Sequence, residues 1–100
     1  MQGLDKGALG QLEKFFLSGK QIGTAGMIAL SEAVRSGALV SLQELDLHEN
    51  QIGDEGMQAF PTAISSGALP KLAGLFVFGN PGSMAGVVEA CSSRGIACYA

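Results

Sequence analysis

A period of 30 residues runs through the chain and restricts its fold more than any other property. Gly7-Ala8-Leu9, Gly37-Ala38-Leu39 and Gly67-Ala68-Leu69 open three successive units. Gln21-Ile22-Gly23 returns as Gln51-Ile52-Gly53, and Gly26-Met27 as Gly56-Met57. The first two units agree at about 13 of 30 positions. A repeat of this length marks a solenoid, in which each unit buries its apolar face against the next one. The unit of folding is therefore a stack, and about three units are the minimum for stability.

The central unit shows what each repeat contains. In Leu42–Ile52, apolar residues fall in the pattern L-x-x-L-x-L-x-x-N-x-L, with Asn50 at the polar position. Leu45 and Leu47 share one face of a short strand, while Glu44, Asp46 and His48 share the other. The chain must then turn with no hairpin partner, and Asn50 is placed to bond neighbouring backbone groups there. The first unit keeps the apolar positions but has Lys20 for the asparagine. The third keeps Asn80 but has Gly82 for the last apolar anchor. Strands are predicted near Lys14–Phe16, Glu44–Asp46 and Leu75–Val77, each pairing in parallel with the next.

Helices join the strands. Met27, Leu30, Ala33 and Val34 form one helical stripe, with Thr24 as the expected N-cap and Gly37 as the stop. The second helix repeats this with Asp54 as cap, Met57, Phe60 and Ile64 inward, and Gly67 as stop. Pro61 inside it predicts a kink or a second helical start. The third is expected from an N-cap Ser83, burying Met84, Val87, Val88 and Cys91 before Gly95. Ile96-Ala97-Cys98-Tyr99 then reads as a closing edge strand. Met1–Lys6 are too few for a helix ahead of the first strand, which leaves the first unit uncapped on one side.

Strand, asparagine turn and full helix within 30 residues resemble the ribonuclease-inhibitor-type class of leucine-rich repeats. Leu-Asp-Leu-His-Glu-Asn-Gln-Ile-Gly-Asp-Glu-Gly-Met and Ser-Gly-Ala-Leu carry the likeness. The resemblance implies an α/β, right-handed solenoid with parallel strands on the concave face and helices on the convex face. On this reading residues 1–100 are one domain, with repeats 7–36, 37–66 and 67–100 and a closing strand. It also implies protein binding and an intracellular setting, read as cytoplasmic with an organelle as the alternative; no catalytic residue carries over, and the chain is expected to be no enzyme and to need no cofactor. A structural subunit, or a solenoid piece packed in a larger assembly, is the alternative.

Composition narrows the partners. The net charge of −3, with six scattered Lys and Arg residues, argues against nucleic acid, which calls for a basic patch. No apolar run approaches the roughly 18 residues of a membrane span. No signal peptide is readable at the start of the sequence, and nothing points to secretion. Cys91 and Cys98 are expected as buried reduced thiols, with a terminal disulfide as the other option. One such pair, with His48 the single histidine, makes no zinc site.

The binding surface is expected on strand residues that point away from the core. These are Lys14, Phe16 and Ser18, then Glu44, Asp46, His48 and Glu49, then Gly74, Phe76 and Phe78. Phe16, Phe76 and Phe78 carry most weight, because large exposed aromatics supply much of the energy at protein interfaces. They would flank an acidic middle row of Glu44, Asp46 and Glu49, a surface suited to an apolar segment bearing a basic residue. The competing reading buries these phenylalanines against neighbouring rows. Asp46 and His48 stand about 6–7 Å apart on one strand face, but the repeat supplies no nucleophile or open metal site for catalysis. Gly79-Asn80-Pro81-Gly82-Ser83 lacks the lysine and spacing of a phosphate loop and reads as a turn.

Overall fold

The computed structural model describes residues 10–100. The opening Gly7-Ala8-Leu9 of the first unit and the expectation for Met1–Lys6 lie outside those residues. From there the chain alternates β1 (Lys14–Phe16), α1 (Gly23–Arg35), β2 (Glu44–Asp46), α2 (Asp54–Ser65), β3 (Gly74–Phe76), α3 (Ala85–Arg94) and β4 (Ala97–Tyr99). The strands form one parallel sheet in the order β1-β2-β3-β4. Phe15, Leu45, Leu75 and Cys98 occupy one rung, and Phe16, Asp46, Phe76 and Tyr99 the next. The 30-residue period thus becomes a spatial register from β1 to β3. The third strand begins one residue earlier than expected, at Gly74, though Val77 N–H still donates to Tyr99 O at 2.9 Å.

The core lies between the sheet and the helices. Leu42, Leu45, Leu47 and Ile52 of the central unit are fully buried, as are Met57, Phe60 and Ile64 of α2. Their first-unit counterparts Leu12, Phe15, Leu17 and Ile22 are only half-buried. An apolar hollow of about 450 Å³, lined by Leu17, Ile22, Gly26, Ala29, Leu30 and Ala33, opens at that end. Gly56 shows why small residues recur at its position. A Cβ there would stand 3.2 Å from Met27 Cβ and 3.3 Å from Thr24 Cα, so the side chain is omitted where α1 and α2 approach.

The helix stops form as expected and the starts do not. Gly37, at φ 87°, sends its N–H to Val34 O while Ala38 N–H reaches Ala33 O; Gly67 and Ala68 repeat this pair of bonds at the end of α2. None of the helices has a side-chain cap. Thr24 and Asp54 lie inside their helices, and their oxygens accept from the next unit instead: Gly53 N–H donates to Thr24 Oγ1 at 2.8 Å, and Ser83 N–H to Asp54 Oδ1 at 2.7 Å. Ser83 is likewise no cap, since α3 starts two residues later. Stacking has redirected local capping groups into ties between units.

Three further expectations change. Pro61 starts no second helix, since α2 runs on through it from Asp54 to Ser65; its ring faces α3, where a Cβ on Gly86 would lie 3.3 Å from Pro61 Cγ. Val88 is exposed rather than buried, because Val87, about 100° away around the helix, takes the inward position. Gly82 is not a missing anchor but a forced close approach. A Cβ there would fall 2.5 Å from the carbonyl carbon and oxygen of Gly53. Gln21 and Gln51 hold a left-handed φ in the corresponding turns, which Pro81 cannot adopt, so the third turn takes another path.

Arg94 ties the C-terminal end to the layer before it, donating from Nη1 to Ile64 O at 2.8 Å and from Nη2 to Leu69 O at 2.7 Å. Cys91 is buried and Cys98 half-buried, and both are free thiols. Burial, reinforced by the neighbouring Cys98, pushes the Cys91 thiol up from 9.0 to about 12 despite the opposing charge of Arg94. Burial also raises Cys98, partly countered by its hydrogen bond with Cys91. At pH 8.5, iodoacetamide should therefore label Cys91 of the folded protein far more slowly than in urea, with Cys98 intermediate, as read by mass spectrometry. Because the folded values lie above the unfolded ones, the thiols' contribution to stability is complete below pH 9 and falls as the pH rises from 9 towards 12.

Candidate functional site

The outward face of the sheet carries the expected residues in two adjoining rows. In the first, the register places Phe16, Asp46, Phe76 and Tyr99 side by side on β1 to β4. In the second, one pleat further on, His48 and Phe78 stack with ring centroids 4.5 Å apart and planes within 10°. Phe16 is 57% exposed, Phe78 41% and Tyr99 51%. Phe76 is half-buried because Tyr99 covers one of its faces, at a centroid distance of 4.5 Å and an angle of 11°. The competing reading of buried phenylalanines thus holds in part for Phe76 alone.

The polar residues are more closely engaged than strand spacing alone implied. His48 Nδ1 meets Asp46 Oδ1 directly, and His48 backbone N–H donates to the same oxygen at 3.2 Å. Nε2 of the ring lies 3.7 Å from Glu49 Oε1. The imidazole is therefore held by a carboxylate, a second carboxylate and a phenyl ring, which together orient it. Glu49 stands not on the strand but in the turn after it, at φ 57°, with its side chain 68% exposed. Glu44 is half-buried two rungs below Asp46, on the same face. Gly74 is buried rather than displayed, with Glu44 Cγ and Phe76 Cε1 each 3.9 Å from where its Cβ would be. Lys14 is exposed beside Glu44 in register, yet among the described residues no Lys or Arg pairs with Glu44, Asp46 or Glu49.

Behind this face, two asparagines hold the turns. Asn50 Oδ1 accepts from Lys20 N–H at 2.8 Å and Ile22 N–H at 3.4 Å, while Nδ2 donates to Leu17 O at 2.7 Å and His48 O at 3.3 Å. Asn80 repeats this one unit later, accepting from Asn50 and Ile52 N–H and donating to Leu47 and Val77 O. Each asparagine thus bonds the turn before its own. Residues 38–60, from the approach to β2 through Phe60 of α2, match the family model described as Leucine Rich repeat. That central segment is a leucine-rich repeat. No curated protein and no solved structure matches the chain.

With a leucine-rich repeat at its centre, one parallel sheet and alternating strands and helices, the chain fits an α/β solenoid. Domains of this family generally mediate contacts between proteins and are typically not enzymes. Among the described residues no three of His, Cys, Asp and Glu come together to hold a metal ion. No helix among them is long and apolar enough to cross a membrane. Tyr99 is the residue that sequence reasoning missed. Its strand was foreseen, but β4 reaches Phe76 after 23 residues rather than 30, so the period could not align the two rings.

Proposed function

We propose that the outward sheet face of this chain is a docking surface for a protein partner, with no catalysis of its own. The single observation that carries the proposal is the pair of rows of rings, with Phe16, Phe78 and Tyr99 exposed and Phe76 half-buried, beside carboxylates that no Lys or Arg pairs with among the described residues. Short parallel strands hold these groups on a rigid ladder, so binding costs little ordering entropy. Glu44, Asp46, His48 and Glu49 complete the surface and favour a partner with basic side chains over nucleic acid. We assign the repeats to the ribonuclease-inhibitor type, as three 30-residue units in one domain. We read their winding as right-handed, with the strands on the concave side because helices stack about 8–10 Å apart and strands about 4.8 Å. The free thiols support an intracellular, cytoplasmic setting.

Affinity capture from the native source, with crosslinks mapped by mass spectrometry, should place contacts on residues 14–18, 44–49 and 74–78. Phe16→Ser should lower recovery of that partner about tenfold with the melting temperature unchanged, and Phe78→Ser should lower it as much with some loss of stability, since its ring is stacked on His48. Phe76→Ser should do the same with some loss of stability, since its ring is stacked on Tyr99. Crosslinks confined to the helices would discard the proposal.

A second reading is favoured by one observation, the 450 Å³ apolar hollow at the β1 end. It makes the chain a structural subunit or solenoid piece, permanently packed through that hollow in a larger assembly. A binding module should be monomeric and unfold cooperatively alone. A subunit should aggregate or lack a cooperative transition, as sedimentation and urea titration will tell.

A further inference from the structure

The two aromatic rows differ at one place, and the difference has the shape of a ligand. In the outer row, the β2 position is filled by the flat ring of His48, which stacks on Phe78 at 4.5 Å. In the inner row, the same position between Phe16 and Phe76 holds Asp46, whose carboxylate is shorter than a ring and is bonded to His48 one pleat further on. Neighbouring strands lie about 4.8 Å apart, so residues on β1 and β3 are separated by about 9–10 Å. The rings keep that strand spacing where they can be measured, since Phe76 and Tyr99 sit 4.5 Å apart and nearly parallel. Between Phe16 and Phe76 there is consequently room for one planar group, about 4.5–5 Å from each ring. The floor of the slot is a carboxylate, and Glu44 supplies a second two rungs below, on the same face.

Building on the docking surface proposed above, we infer that this slot takes an arginine side chain of the protein partner. The guanidinium is flat enough to lie between two rings, is attracted to both ring faces, and presents N–H donors to Asp46 below. Lysine offers a compact ammonium that can face only one ring closely and bonds with less directional fit. An apolar aromatic side chain would fill the space but would strip water from Asp46 without giving it a donor. Tyr99 braces the Phe76 wall from behind, so that wall is already ordered. Phe16, on the first strand and 57% exposed, is the wall left free to adjust. His48 secures the floor, because its backbone and ring N–H groups both bond Asp46 Oδ1, leaving Oδ2 for the incoming donors.

The experiment is a titration of the full folded chain, followed by nuclear magnetic resonance, with acetyl-Gly-Arg-Gly-amide and with its lysine, citrulline and phenylalanine counterparts. The arginine peptide should shift the Phe16 and Phe76 ring signals, and its own δ-methylene protons should move upfield. It should bind about fivefold more tightly than the lysine or citrulline peptide. Phe16→Ala, at an exposed position, and Asp46→Asn, which keeps the acceptor for His48, should each remove that preference. Equal binding of the arginine and lysine peptides, absence of binding, or a preference that survives Phe16→Ala would each overturn the slot. If the slot fails while partner crosslinks still map to residues 14–18, 44–49 and 74–78, the docking surface stands and only its arginine is lost. Crosslinks elsewhere remove the docking surface itself.

Discussion

Asn80→Ala should lower the stability of the protein by about 4 kcal/mol, and Asn50→Ala by about 2 kcal/mol, in urea unfolding. Both amides make four hydrogen bonds to backbone, so a count of bonds predicts equal effects. Surroundings make the difference. The partners of Asn80 belong to Asn50, Ile52, Leu47 and Val77, all buried. Removing the amide leaves two N–H groups and two carbonyls with neither protein nor water to bond. The partners of Asn50 include Lys20, which is exposed, and Leu17 and Ile22, which are half-buried. Water can enter there and recover part of the loss. Effects of equal size in the two variants would show that the first turn is covered in solution.

Phe60→Ala should cost a further about 4 kcal/mol, and Phe60→Leu only about 1 kcal/mol. Phe60 is the largest of the fully buried side chains. Its counterparts one unit before and after are Leu30 and Ala90, so the three layers differ in bulk at one position of the repeat. The large ring in the middle layer occupies space that the small Ala90 leaves, and no equally large group flanks it to collapse into the gap. For a domain of this size, 4 kcal/mol corresponds to a drop in melting temperature of roughly 16–30 °C. A fall of only a few degrees would mean that α2 and α3 close over the cavity.

The repeat made most of the scaffold readable in advance. Leu45 and Leu47 alternate with Glu44, Asp46 and His48, and alternation at period two dictates which side chains are buried whatever the strands pair with. Glycines at 37, 67 and 95 follow the helical stripes and take the left-handed conformation that ends each helix. The outward placement of Phe16 and Phe78 follows from the same alternation. Elsewhere, the local pattern pointed to the wrong partner. Thr24 and Asp54 have the chemistry of caps and stand at the helix starts, yet they bond N–H groups 29 residues away. Val87 and Val88 are adjacent and alike, and only the fit of α3 on α2 chooses between them.

Sequence by itself determined the period, the parallel stack it requires, the inward and outward faces, and the asparagines that hold the turns. Each of these depends on residues within one unit or on spacing that repeats without change. Tertiary structure decided the rest: the Phe76–Tyr99 stack, the grip of Asp46 on His48, the close approach at Gly82, and the slot between Phe16 and Phe76. These depend on the register and separation of chain segments tens of residues apart. Such distances are settled only when the layers have packed.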